Sequence, residues 1–215
     1  ETNGDTLDLS GVTTGVTVDL SSFNPEDGSI TDGTSTADFF DIENIVLSGG
    51  NDTITLADGS GVDSVDGFTA PTLVDGVLTG TDQLDVSGLT DAGGDPVNTF
   101  DVTVTDTVGD GSGDAILTFP NGEQITLIGV DPSDVTTDEQ LAAMGIPISD
   151  GIVTGTVGDD LIDGAYADDT DGDFVDNGDA HLTGFTGDDD SIRAGDGNDT
   201  VLAGAGDDNV DGGTG

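Results

Sequence analysis

Ala194-Gly195-Asp196-Gly197-Asn198-Asp199-Thr200-Val201-Leu202 and, directly after it, Ala203-Gly204-Ala205-Gly206-Asp207-Asp208-Asn209-Val210-Asp211 repeat one pattern at a step of nine residues: a Gly-rich turn, an Asp, and an aliphatic side chain two positions later. Gly-x-Asp recurs at Gly158/Asp160, Gly187/Asp189, Gly197/Asp199 and Gly206/Asp208, followed by Ile162, Ile192, Val201 and Val210. Nine residues suit half a coil, a six-residue turn and a three-residue strand, so Asp190 and Asp208 should stack on one edge and Asp199 on the other. Asp188-Asp189-Asp190 carries one residue too many, which leaves open whether Asp189 or Asp190 holds the ligand position and predicts a bulge there.

Composition decides which chemistry such turns can serve. The chain has 46 Asp+Glu against 1 Lys+Arg, a formal charge of -45, so it offers no cationic surface for nucleic acid or an anionic membrane. No apolar run approaches the roughly 20 residues that span a bilayer. One His (His181), one Arg (Arg193), one Tyr (Tyr166) and no Cys, Lys or Trp leave no material for a triad, a Schiff base or a thiolate metal site, and the chain is expected to be no enzyme. Abundant Asp carboxylates and the backbone carbonyls presented by 36 Gly are hard oxygen ligands, and they point to Ca²⁺.

Only 33% of residues are hydrophobic, against roughly 45–50% in globular domains, and such acidity also marks disordered chains. Short alternating runs argue for order conditional on metal. Strands are expected at 5–9, 16–20, 42–47, 52–56, 83–86, 100–104, 115–119 and 124–128, the last two joined by the turn Pro120-Asn121-Gly122-Glu123. Thr137 and Gln140 have capping-box spacing before Leu141-Ala142-Ala143-Met144, and Gly145 stops this one short helix. All 6 Pro precede residue 150, and three regions follow: a β-rich region over 1–80, a small β domain over 81–150 and the Gly/Asp array over 151–215.

Other acidic segments are candidate metal ligands. Asn51 and Asp52 lie in Ser48-Gly49-Gly50-Asn51-Asp52-Thr53-Ile54, a single turn of the array's type. Asp106, Asp110 and Asp114 have EF-hand-like spacing around Gly111, although Val108 and Leu117 stand where two ligands belong, and a plain Gly/Asp turn is the equal reading. Asp171 and Asp173 belong to Asp168-Asp169-Thr170-Asp171-Gly172-Asp173, read equally as an ion-binding insertion or a solvated loop; nearby His181 is expected to pack or face solvent.

The two nonapeptides closely resemble the Gly-Gly-x-Gly-x-Asp-x-U-x repeat of the RTX (repeats-in-toxin, hemolysin-type) family, and 155–163 is a near match. The resemblance implies a right-handed parallel β-roll following a β-rich region, with several Ca²⁺ ions between successive turns, held by glycine carbonyls and by the Asp of each turn. Segments 82–94, 109–130 and 143–147 resemble stretches of large secreted alphaproteobacterial RTX proteins; the Cys that a self-processing Hint domain needs is absent here. The chain opens on Glu1 and closes on Gly212-Gly213-Thr214-Gly215, the first four positions of another repeat, so the array is expected to be truncated from a longer polypeptide. The family route is type I secretion, which uses no N-terminal signal peptide. The resulting expectation is a secreted, extracellular or cell-surface structural module that folds on Ca²⁺ and associates with copies of itself or with neighbouring repeats as an adhesive or fibre component. The alternative is a non-catalytic appendage of a secreted enzyme.

Overall fold

The computed structural model describes residues 4–22, 24–91, 94, 96–169, 172–176, 178, 180 and 182–215. The chain is mostly β and divides into two compact units, Glu1–Pro147 and Ile148–Gly215. No described helix is long and apolar enough to cross a membrane.

The first unit contains β1 (Thr6–Asp8), β2 (Thr17–Asp19), β3 (Gly28–Thr31), β4 (Thr36–Phe39), β5 (Asn44–Val46), β6 (Thr53–Ala57), β7 (Val62–Asp66), β8 (Thr72–Val74), β9 (Val77–Thr79), β10 (Gln83–Gly88), β11 (Thr103–Asp106), β12 (Ala115–Thr118), β13 (Gln124–Ile128) and helix α1 (Asp138–Ala143). The chain alternates between two sheets. One has the order β1-β5-β7-β13-β12-β11, the other β10-β6-β2-β3-β4. Neighbours β1, β5, β7 and β13 are parallel, as are β2, β6 and β10, while the hairpins β3–β4 and β11–β12 add antiparallel strands, so both sheets are mixed.

Register lines up the alternating aliphatics that the sequence placed on one face. Leu7, Ile45, Val65 and Leu127 are cross-strand partners in the first sheet, and Val18, Ile54 and Leu84 in the second. All but the partly buried Leu7 are buried in a single core. Residues on both sides of position 80 supply strands to both sheets, β10 to one and β11–β13 to the other, so the expected division into 1–80 and 81–150 is corrected: sheet pairing makes 1–147 one unit.

Helix α1 starts at the expected capping box, with Thr137 Oγ1 accepting from Gln140 N–H and the Gln140 side chain accepting from Thr137 N–H. It buries Leu141, and the following Met144 carbonyl accepts from Leu84 N–H at 2.6 Å, so this segment covers the β10 edge. The run 100–104 begins later than expected, because Thr99–Asp101 forms a 3-10 turn capped by Asn98. Strands β3, β4, β7, β8 and β9 were not anticipated. In β7 the inward positions are Asp63 and Val65, and an acid at a core position hides the alternation.

The second unit contains β14 (Val153–Thr154), β15 (Leu161–Ile162), β16 (Ser191–Arg193), β17 (Thr200–Val201) and β18 (Asn209–Asp211). Strands β14, β16 and β18 form one parallel sheet and β15 and β17 another, so the chain again alternates between two sheets. One aliphatic per strand gives a thin core: Val153, Ile162 and Ile192 are buried with Tyr166, Val175 and Ala194.

The contrast between the cores is testable. Ile54→Ala should cost about 2–5 kcal/mol of unfolding free energy by deleting a fully buried side chain, whereas Leu73→Ala, on the exposed hairpin β8–β9, should cost below about 1 kcal/mol. Denaturant melts of the two variants check the difference.

Candidate functional site

The repeat turns of the second unit lie on two edges and carry the same hydrogen bonds on both. On one edge, Asp160 N–H donates to Asp199 Oδ1 at 3.0 Å, and Asn198 N–H donates to Asp159 Oδ1 at 2.8 Å. On the other, Asp190 N–H donates to Asp208 Oδ1 at 3.1 Å, and Asp207 N–H donates to Asp189 Oδ1 at 2.8 Å. Each pair of turns is thus bonded reciprocally: the Asp beginning the later strand accepts from its counterpart in the earlier turn, and the preceding acid of the earlier turn accepts in return. Asp190 also accepts from Asp176 N–H at 3.1 Å, which extends the second stack.

This geometry resolves the crowded segment. Register places Ser191 opposite Asn209, so Asp190 matches Asp208 and Asp189 matches Asp207. The extra residue sits in the turn, where Asp189 N–H donates to the Thr186 carbonyl, Asp189 Oδ2 accepts from Thr186 N–H, and Gly187 has φ +59°. Those amides hold the Asp189 carboxyl below the usual carboxylate range, first through Asp207 N–H and then through Thr186 N–H. Asp159 is lowered likewise, chiefly by Asn198 N–H. Their ionised forms support the fold above pH about 4, and that support is lost as pH falls through their depressed values.

Glycine is required where turns meet. Gly197 has φ +136°, and a Cβ there would lie 2.2 Å from the Gly158 carbonyl oxygen; Gly206 has φ +109°, with a Cβ 2.0 Å from the Asp188 carbonyl oxygen. Main-chain carbonyls therefore line the junctions between stacked turns. Gly158 itself donates its N–H to Thr156 Oγ1, and Asp160 Oδ2 accepts from Thr156 N–H at 2.7 Å.

Asp199 differs from the other stacked acids. Its Oδ1 is fixed by Asp160 N–H, while Oδ2 is buried with no hydrogen-bond partner. Among the described residues no group of three or more His, Cys, Asp or Glu gathers as a metal cage. An ion between turns would have to draw on carbonyl oxygens beside one or two carboxylates, a donor set that suits Ca²⁺.

The remaining candidates are engaged by the protein. Asp52, 1% exposed, accepts from Val16 N–H at 2.8 Å, Ser48 N–H at 3.1 Å and Ser48 Oγ at 2.6 Å, and donates its own N–H to Asp82 Oδ1 at 2.9 Å. Asn51 is exposed, its carbonyl tight against Gly15. Asp106 accepts backbone N–H bonds from Val108, Gly109, Asp110 and Gly111, which hold its carboxyl below the usual range, with Gly111 contributing most. Asp110 accepts from Ser112, and Asp114 from Gly129 N–H at 2.7 Å. The EF-hand-like set does not gather as a metal cage: Asp106 and Asp110 accept from amides of their own loop, while Asp114 accepts from Gly129 N–H beyond β13. Asp173 is buried and accepts from Ser149 Oγ and from the N–H groups of Gly151 and Ile152. Asp171 and His181 lie outside the described residues.

Sequence reading missed Asp82, the counterpart of Asp52 one coil on. It accepts from Asp52 N–H and, at 2.7 Å, from Thr69 N–H. The signal was present, since Gly80-x-Asp82-x-Leu84 repeats Gly50-x-Asp52-x-Ile54.

Comparison with family models, with curated proteins and with solved structures finds no match to this chain.

The turn packing yields a prediction. Gly197→Ala and Gly206→Ala should each cost at least about 1–2 kcal/mol from the positive φ alone, with the carbonyl clash in addition. Gly212→Ala, where nothing lies within 4 Å, should be nearly neutral. Hydrogen exchange of 148–215 reports the difference.

Proposed function

We infer that the chain is a non-catalytic, calcium-binding structural module of the RTX type, whose residues 148–215 wind as a parallel β-roll that is completed by Ca²⁺. The observation that carries this reading is Asp199, which has one oxygen bonded across the turn stack and the other buried without a donor. A buried carboxyl oxygen without a partner is costly in a folded protein, and a chain with 46 acids and one basic Lys/Arg side chain has almost no cation of its own to offer.

Asp160 and Asp199 on one edge, and Asp190 and Asp208 on the other, would hold the ions together with carbonyl oxygens of the glycine turns. Bound calcium supplies positive charge where stacked carboxylates repel one another. The chain's contribution is preorganisation: reciprocal amide bonds fix each carboxylate, and glycine permits close approach of the turns. Millimolar extracellular Ca²⁺ suits sites of modest affinity, and a secreted or cell-surface location follows from the reading. Self-association or contact with neighbouring repeats is the corresponding partner, with Ca²⁺ offsetting repulsion between acidic surfaces.

In excess chelator, hydrogen exchange of 148–215 should be fast, and Ca²⁺ should slow it, because an ion that binds only the folded state stabilises it by mass action. Mg²⁺ should substitute poorly, since it demands tighter octahedral geometry. Asp199→Ala and Asp208→Ala should each raise the calcium concentration required for protection, and Asp207→Ala should raise it less. Equal protection with and without calcium would overturn the reading, and equal effects of the three substitutions would point to a diffuse acidic cloud.

A further inference from the structure

The first unit holds an ionisable group with no part in the turn stacks. Asp63 points inward from β7, between Glu43, one residue before β5, and Ile125 of β13; the ladder extends to this level through Ser64 N–H donating to the Glu43 carbonyl at 3.0 Å. One strand further, Asn44 N–H donates to the Asp5 carbonyl, so Asp5 just before β1, Glu43 just before β5 and Asp63 in β7 form a row of acids across neighbouring parallel strands. Glu43 turns its Oε2 to Asp5 N–H at 2.5 Å. Asp63 is 2% exposed, and its Oδ2 is buried with no hydrogen-bond partner.

The groups around it offer no positive charge. Glu43 stands beside it at the β5 side, and the charge of Glu26, in the β2–β3 connection, also acts on it repulsively. Asp5 lies beyond Glu43, and buried Glu123 stands one residue before β13, with one oxygen bonded to Gly59 N–H. The inward residues of the second sheet, Val18, Leu20, Ile54, Leu56, Leu84 and Val86, are uncharged. The sequence contains no Lys, and its one Arg lies in the other unit.

We propose that Asp63 is a proton-binding site that couples the folding of residues 1–147 to pH: the folded core carries it as a neutral carboxylic acid, and its ionisation loosens the first sheet where β5, β7 and β13 meet. Burial pushes the Asp63 carboxyl up to about 7 from an ordinary 3.8, and repulsion from Glu43 and then Glu26 adds to the rise. A group raised on folding contributes stability that is complete below its unfolded value and is lost as pH rises through its folded value. From pH about 4 to about 7 each unit should therefore cost up to about tenfold in the folding constant. The proposal is independent of the calcium reading: the first unit responds to protons, whereas that reading makes the second respond to Ca²⁺.

The test uses the full chain in chelator. Carboxyl ¹³C NMR should show one Asp resonance titrating near pH 7, assigned to Asp63 by its loss in Asp63→Asn, with its midpoint lowered in Glu43→Gln. Hydrogen-exchange protection of 62–66 and 124–128, corrected for intrinsic rate, should fall from pH 5 to 8 in the natural chain and stay level in Asp63→Asn. An Asp63 midpoint near 4 would overturn the proposal. So would the same decline in protection in Asp63→Asn, or protection at pH 8 that Ca²⁺ restores in the natural chain and not in the variant, since the site would then take a metal ion rather than a proton. The NMR titration of the natural chain stands even if Asp63→Asn folds poorly.

Discussion

An aspartate carboxylate accepting the backbone N–H of its counterpart in the turn before the neighbouring parallel strand is the bond that recurs in both units. It joins Asp82 to Asp52 in the first unit, and Asp199 to Asp160 and Asp208 to Asp190 in the second. Strands of two to six residues cannot hold a turn in place by ladder bonds alone. An acid just before the strand satisfies an amide of the neighbouring turn and sets the register of the aliphatic that follows, as with Ile54 opposite Leu84 and Ile192 opposite Val210.

The same bond has different surroundings in the two units. Asp82, the acceptor in the first unit, receives donors on both oxygens, from Asp52 N–H and Thr69 N–H, and stands beside a continuous core running from Leu9 to Ile146. Asp199 has one oxygen supplied and one without a donor, beside the thin core around Val153, Ile162 and Ile192. Protein donors satisfy the carboxylate oxygens of the stack in the first case. In the second the donor set is incomplete in a way that a cation ligated by oxygen would complete, which is why the calcium proposal concerns 148–215 and the proton proposal rests on Asp63 instead.

Legibility in the sequence followed the regularity of the loops. Asp190 and Asp208 are 18 residues apart, two steps of nine, so their stacking could be read from spacing alone. Asp160 and Asp199 make the same contact across 39 residues, and Asp52 meets Asp82 across 30, because segments such as 163–189 and the hairpin β8–β9 intervene and erase the period. The alternating strands and the capped helix were legible because local chemistry fixes them. The coiling of the first unit was not, since parallel pairing is non-local and Asp63 breaks the pattern of β7. For Asp106, Asp110 and Asp114, spacing alone suggested a common ligand loop, yet nearby backbone amides satisfy each one separately.

The most direct test of the central claim is anomalous X-ray scattering from crystals of the full chain grown in millimolar Ca²⁺ and measured at long wavelength. The account predicts anomalous peaks between successive turns on both edges, about 2.3–2.6 Å from carboxylate and carbonyl oxygens, with one bound to Asp199 Oδ2. Ordered turns in 148–215 with no such peaks, and a water or protein donor on Asp199 Oδ2, would contradict it.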